Sequence, residues 1–280
     1  MQRQPGEIGA HLDHLSIEAE DPARLAVFLR DALSMQSRQL EGGRWLCRSR
    51  NRPLLVTPGR KNAIGFAAFS FADAASLVAY RQRLERAGVA LDANPSSLFE
   101  AGAFSVRDPE GNRIAFGVRT EAGAPDLLPA ARLQHVGIRT PSPEGLLPFY
   151  AGQLGFVVSD RVEDEQGVLS ATFLRVDPEH HALALFQAPE SRLDHVSFDT
   201  PDFYGIRDWA DHMGRQRVPI FWGVGRHGPG NDLFFMVKDP EENLFELSTE
   251  LEKCAPDRKM GVWPKSTWTL NQWGPALMRS

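Results

Sequence analysis

Phe234–Ser248 reads FFMVKDPEENLFELS, and Phe104–Val118 reads FSVRDPEGNRIAFGV. Each is a strand-like run, then D-P-E-x-N, then a second strand-like run. Asp supplies a side-chain acceptor, Pro presets φ and Asn tolerates the left-handed region, so the shared element is a hairpin turn. The same hairpin at two places in one chain is the mark of a repeat, and repeats decide the fold before single elements do.

Working outward, further copies emerge. His11–Ile17 reads HLDHLSI, Leu133–Ile138 reads LQHVGI and Leu193–Phe198 reads LDHVSF. Each is a short strand with a histidine near its start. Ile64–Phe71, IGFAAFSF, is a fourth copy without the histidine. A turn and a helical pattern follow each copy: EDPARL, TPSPEGL and TPDFYGI open three of them, and the fourth helix runs from about Asp73 to Ala87. The chain therefore reads as an α+β protein of four βαβββ units, paired into two half-open barrel modules. The expected division is residues 1–120 for an N-terminal module without metal and 130–250 for a C-terminal module with the metal and active site. The Ala-, Gly- and Pro-containing stretch Glu121–Pro129 joins them, and a tail with Trp263, Trp268 and Trp273 spans 251–280. So much tryptophan predicts a tail packed on the body or on a neighbouring subunit.

Composition narrows the functional classes. Hydrophobic residues make up 42% and charged residues 24%, with a net charge of −5, which suits a globular core and not a basic nucleic-acid surface. No stretch approaches the roughly 20 apolar residues of a membrane helix. Met1–Ala10 is polar and lacks the apolar run of a secretory signal. Cys47 and Cys254 form no disulfide framework. The expectation is a cytoplasmic enzyme or binding protein with no nucleic-acid or membrane partner.

Comparing the halves locates the chemistry. Asn112 corresponds to Asn243, and three residues on one half has Ala115 where the other has Glu246. A carboxylate inside NLFELS is costly to bury unpaired. A metal ion explains it, and the histidines that open the two C-terminal units, His135 and His195, complete a two-His-one-carboxylate set. That set favours non-haem Fe(II) with open positions, and Mn(II) suits the same ligands. An ion pair of Glu246 with Arg226 is the plainer alternative. His11, His14 and His212 read as ordinary structural histidines.

These residues resemble the type I extradiol ring-cleaving dioxygenases, the catechol 2,3-dioxygenase group of the vicinal oxygen chelate, or glyoxalase, superfamily. The resemblance covers about Gly9 to Glu250 and is strongest in LQHVGI, HALALFQAPESRLDHVSF, and GRHG followed by KDPEENLFELS. It implies His135, His195 and Glu246 as metal ligands. It also implies His181 as the residue handling protons on the oxygen species, with the adjacent His180 as the alternative, and His227 as a second polar group near the substrate. The implied reaction is extradiol cleavage of a catechol-type diol by O₂, as in aromatic hydrocarbon catabolism, and relatives are often homo-oligomers. One position departs: ten residues before the metal glutamate the group usually has a tyrosine, and here stands Met236, which donates no hydrogen bond. Phe173, Phe186, Trp222 and Met236 are expected to line the substrate pocket. Two rivals are a metal-dependent isomerase or lyase of the glyoxalase type and a non-catalytic small-molecule-binding relative. The former commonly needs a fourth protein ligand, for which ALALFQA offers only Gln187.

Overall fold

The computed structural model describes residues 7–120, 125 and 127–277. Unit one comprises β1 (Ala10–Ala19), α1 (Pro22–Asp31), β2 (Gln36–Gln39), β3 (Trp45–Arg48) and β4 (Leu54–Pro58). Unit two comprises β5 (Ala63–Phe71), α2 (Ala74–Arg86), β6 (Asp92–Ala93), β7 (Phe104–Arg107) and β8 (Arg113–Gly117). Unit three comprises β9 (Arg132–Thr140), α3 (Pro143–Leu147), β10 (Val157–Glu163), β11 (Leu169–Arg175) and β12 (Leu183–Gln187). Unit four comprises β13 (Arg192–Asp199), α4 (Phe203–Arg215), β14 (Ile220–Arg226), β15 (Leu233–Lys238) and β16 (Leu244–Thr249), and after it come β17 (Gly261–Pro264) and α5 (Thr267–Leu270). The α+β repeat read from the sequence is the fold. Part of the stretch between the two halves, residues 121–124 and 126, lies outside the described residues.

Each unit's helix starts on a side chain that satisfies an otherwise orphaned N–H. Asp21 accepts from Arg24 N, Asp73 from Ser76 N, Ser142 from Gly145 N and Asp202 from Gly205 N. The strands form two sheets, β2-β3-β4-β1-β5-β8-β7-β6 and β14-β15-β16-β13-β9-β12-β11-β10-β17. In each, the opening strands of two units pair antiparallel at the centre, and each is flanked by the closing strand of its own unit in parallel. The sheet thus curves about the opening strands, which carry the histidines.

The two D-P-E-x-N turns share one geometry. Asp108 accepts from the backbone N–H groups of Glu110 and Asn112 and from the Asn112 amide. Asp239 does the same with Glu241 and Asn243. The left-handed residue is not the Asn but the one before it, Gly111 at φ 88° and Glu242 at φ 66°; the Asn amide instead locks the Asp. The Glu of each motif reaches the other half of the chain. Glu241 accepts from Glu20 N and Asp21 N, and Glu110 accepts from Thr140 Oγ1. One apolar core runs across both sheets, with Phe69 stacked edge-on to Phe156 at 5.3 Å and Tyr80 donating to Leu154 O.

The tail joins the body through β17, which pairs in parallel with β10. Trp263 is anchored by its Nε1–H, which donates to Asp160 Oδ2 at 2.8 Å, and the Arg226 guanidinium lies 5.0 Å from the centre of the Trp273 ring. Trp268 and Trp273 are 62% and 53% exposed on this chain. Among the described residues no helix is long and apolar enough to cross a membrane.

Candidate active site

β9 and β13 lie side by side at the centre of the second sheet, and both carry a histidine onto the enclosed face. β16 flanks β13 and sets Glu246 opposite Ser197. His135, His195 and Glu246 are 2%, 4% and 1% exposed, and one ligand atom from each lies within 4.8 Å of the others. Gly137 makes the convergence sterically feasible: a Cβ there would stand 2.7 Å from the His195 ring.

Their neighbours fix which nitrogen carries the proton. Asp194 Oδ1 lies 2.7 Å from His195 Nδ1, and a carboxylate only accepts, so that Nδ1 is protonated. Gln134 spends its amide N–H groups on His181 O and Glu179 Oε2, which turns its carbonyl oxygen to His135 Nδ1. That nitrogen is protonated too. Burial, and then the neighbouring histidines, push His135 well below the usual imidazole range, so its Nε2 is a bare lone pair. The two Nε2 atoms nevertheless face each other at 2.9 Å. Glu246 Oε1, held by Ser197 Oγ at 2.9 Å, is 3.6 Å from His135 Nε2, and among the described residues Glu246 Oε2 has no hydrogen-bond partner. Burial acts to raise the Glu246 carboxyl, but His227, His195 and Ser197 outweigh it and hold it ionised.

Two imidazole nitrogens and a buried carboxylate oxygen that converge within 4.8 Å of one another form a donor set that a cation would complete. Two nitrogens bound at about 2.1 Å and a right angle to one ion stand about 3.0 Å apart, which the observed spacing matches. The donor set therefore fits a divalent metal. Arg226, the alternative partner for Glu246, is instead engaged by Glu250 at 2.6 Å and Asn231 O at 2.8 Å.

The other candidate residues gather around this point. His227 lies 3.5 Å from Glu246 Oε2 through Nε2, stacks on Phe234 at 3.7 Å, and donates from Nδ1 to Leu270 O in the tail. His181 lines the cavity with its ring 4.2 Å from that of His135, while His180 is fully buried behind it. Met236 stands directly across the β15–β16 hairpin from Glu246, so the ten-residue spacing is simply the hairpin register. Phe173, Phe186, Trp222 and Met236 line the same cavity of about 150 Å³, some ten times the space one water needs by that measure. Gln187 lines it only from an exposed position. The tail closes one side with Lys265, Ser266, Thr269, Leu270 and Leu277.

Sequence reading missed Asp232. It is 1% exposed, lines the cavity, falls in a second possible donor group with His135 and His181, and among the described residues has no hydrogen-bond partner for either carboxylate oxygen. Burial, then the nearby Glu246 charge, raise it well above the usual carboxylate range. It sits in GNDL, a run with the Gly and Asn typical of turns, and its burial against the cavity is visible only in the folded chain.

Paired βαβββ units in curved sheets give the chain the vicinal oxygen chelate fold, with the two-His-one-Glu cluster on its enclosed face. Residues 132–247 match the Glyoxalase/Bleomycin resistance protein/Dioxygenase superfamily. The chain has the vicinal oxygen chelate fold of that superfamily, and its curated relatives are extradiol dioxygenases. It is 29% identical over 245 residues to Metapyrocatechase 2 of Cupriavidus necator, covering 78% of this chain and 74% of that one. It is 27% identical over 251 residues to Biphenyl-2,3-diol 1,2-dioxygenase of Paraburkholderia xenovorans, covering 82% and 84%. In fold it is similar to the Mn(II)-bound glyoxalase from Novosphingobium aromaticivorans, with a TM-score of 0.79, 22% identity, and 95% and 91% of the two chains covered.

Proposed function

We propose that this protein cleaves the ring of a catechol-type aromatic diol beside the diol, using O₂, at one Fe(II) held by His135, His195 and Glu246. The observation that carries the reading is the pair of histidine Nε2 atoms 2.9 Å apart beside a buried Glu246 oxygen that has no hydrogen-bond partner among the described residues. Similarity along most of the chain to two extradiol dioxygenases supports the reaction type. When bound, the metal supplies chelation of the diol oxygens and the electronic coupling of diol to O₂.

The protein's own part is positioning and proton handling. Asp194 and Gln134 hold the two imidazoles in the tautomer that presents Nε2. Burial and the neighbouring His180 hold His181 well below the usual imidazole range, so it enters the reaction as a base able to take a proton and return it. His227, braced by Leu270 O and Phe234, presents its Nε2 on the Glu246 side, and with Nδ1 donating to Leu270 O that nitrogen is the one able to take a proton from a substrate oxygen. Phe173, Phe186, Trp222 and Met236 exclude water and suit an aromatic ring with an apolar substituent. Met236 leaves the wall opposite Glu246 without a hydrogen-bond donor.

The test is oxygen uptake by anaerobically purified, Fe(II)-loaded protein with a panel of substituted catechols. Uptake with a new yellow chromophore is expected, fastest for rings with apolar substituents. Iron bound with no uptake across the panel would overturn the reaction. Mn(II) loading in parallel decides between the two metals.

A further inference from the structure

One side of the cavity belongs to the tail rather than to the repeat units. Three side chains stand in register across adjacent strands: Glu246 on β16 faces Met236 on β15, and Met236 faces Trp222 on β14. Register partners lie on one face of a sheet, so the row runs outward from the candidate metal ligands over two strand spacings, about 10 Å. At its far end Leu270 and Leu277 of the tail pack against the cluster of Trp222, Phe234, Met236 and Leu244, and both leucines line the cavity. Trp222 has a single donor, Nε1–H, and gives it to Pro275 O at 3.1 Å, which leaves ring carbon to face the cavity. The Leu270 carbonyl is likewise taken, by His227 Nδ1. This sector therefore presents carbon and the Met236 sulfur.

The tail is held there by Asn271, which is 4% exposed. Its Oδ1 accepts from Arg226 N at 3.2 Å and from Trp273 N at 3.0 Å, and its Nδ2 donates to Pro275 O at 3.0 Å, the same oxygen that Trp222 uses. Backbone bonds from Gly228 N to Thr269 O at 2.9 Å and from Gln272 N to Arg226 O at 2.8 Å lay residues 269–272 along the run GVGRHG at 223–228. Two glycines of that run make room for the tail: a Cβ on Gly225 would collide with the Asn271 amide, and one on Gly228 would stand 2.7 Å from the Trp263 ring. We propose that Met236, Trp222, Leu270 and Leu277 form a subsite for a hydrocarbon substituent, a short alkyl chain or a second ring, and that Asn271 is the positioning residue that holds the tail's half of it. A polar substituent set against these four side chains would lose its water without a strong hydrogen bond in return. That the substituent sits on a diol ring rests on the proposed ring cleavage; the subsite itself does not.

Alkylphenols lack the second hydroxyl of the diol, so their binding to metal-free, full-length protein tests the subsite apart from any reaction. Calorimetric titration with two series from phenol to butylphenol, substituted beside or opposite the hydroxyl, should show affinity rising about four-fold per methylene in one series, the effect of burying one such group. Leu277→Ala and Asn271→Ala should each flatten that rise while phenol itself binds as to the wild type. Equal affinity along both wild-type series, or unchanged slopes in both variants, would overturn the proposal whether or not the enzyme cleaves catechols. Trp268 is exposed and lies outside the cavity lining, so Trp268→Ala should keep the wild-type slope; a matching flattening there would reduce Asn271 to general stability of the tail. In Fe(II)-loaded enzyme, Asn271→Ala should lower kcat/KM for butylcatechol roughly ten-fold more than for catechol, the effect of one to two buried methylenes, chiefly through KM and with iron content unchanged. Equal losses for the two substrates would overturn the positioning role. If Asn271→Ala fails to fold, Asn271→Asp, which keeps the Oδ1 acceptor and loses the donor to Pro275 O, replaces it in both measurements. Iron-loaded protein that cleaves no catechol yet keeps the methylene-dependent binding would remove the reaction and support the subsite.

Discussion

The two halves of this chain run the same backbone past two different interiors. In the first sheet His14 stands opposite Ala68, Ser16 opposite Phe66, and Ala68 opposite Ala115. In the second, His135 stands opposite Ser197, Gly137 opposite His195, and Ser197 opposite Glu246. His14 is thus the counterpart of His135, Phe66 of His195 and Ala115 of Glu246. Even the ring geometry is kept: His14 meets Phe66 at 89° and His135 meets His195 at 89°. Yet His14 is saturated, with Asp13 at 2.6 Å on one nitrogen and Ser96 at 2.6 Å on the other, and Phe66, Phe99 and Ala115 fill a dry cluster around it. His135 has its outer nitrogen satisfied in the same manner and its inner one left facing other donors. The fold tolerates either interior, and a few side chains decide between a packed core and a donor set fit for the proposed metal.

The largest effect should come from erasing the difference. Glu246→Ala copies Ala115, and it should lower metal affinity by more than the roughly 100-fold that outer-shell changes reach, abolishing activity. The metal-free variant should melt above metal-free wild type, because a buried carboxylate with an unpartnered oxygen is gone. Normal metal content in a folded variant would break the equivalence.

Installing the difference in the other half should be nearly as severe. Phe66→His with Ala115→Glu places a charge where Ala115 is now 0% exposed, and Ser96 already holds His14 Nε2. A loss of about 3–5 kcal/mol is expected from chemical denaturation, the scale of an uncompensated buried charge. Added divalent metal should recover part of it, which a generic packing defect would not show.

Asp232 gives a smaller, pH-dependent signature. Its folded-state pKa lies well above the unfolded one, owing to burial and then Glu246. Below the ordinary carboxylate range both states hold the proton and nothing changes. As pH rises past that range the unfolded chain releases it first, so metal-free protein loses stability by up to about 1.4 kcal/mol per pH unit until the folded group ionises too. Asp232→Asn should flatten that slope in denaturation curves taken across pH; an unchanged slope would mean Asp232 is ionised in the fold.

Met236→Tyr should be mildest. It restores a donor directly across from Glu246, worth about 1 kcal/mol or roughly a five-fold change in kcat/KM. The ranking of catechols, more than the absolute rate, should move. A flat comparison would mean that residue 236 does not address the substrate.

How much of this the sequence made legible follows from what repeats. The D-P-E-x-N turns and the histidine-opened strands are local patterns, and they carried the unit count and the candidate triad. Glu246 was visible because its sister position is Ala115. Phe66 as the counterpart of His195 was hidden, because bulges between Leu193 and His195 in one sheet, and between Leu12 and His14 in the other, shift strand alternation. Asp232, Asp160 and the tail's wall on the cavity depend on contacts between distant segments, such as Asp160 and Trp263, 103 positions apart, which no local pattern encodes. His180 and His181 were indistinguishable as neighbours in sequence; burial separates them, one on the cavity and one behind it.

The most direct measurement is metal content per chain after anaerobic purification and Fe(II) reconstitution, for the wild type and for His135→Ala, His195→Ala and Glu246→Ala. About one Fe(II) per wild-type chain and loss of it in each folded variant is the expected result. No metal in the wild type, or full retention in all three variants, would contradict the assignment on which everything else here is built.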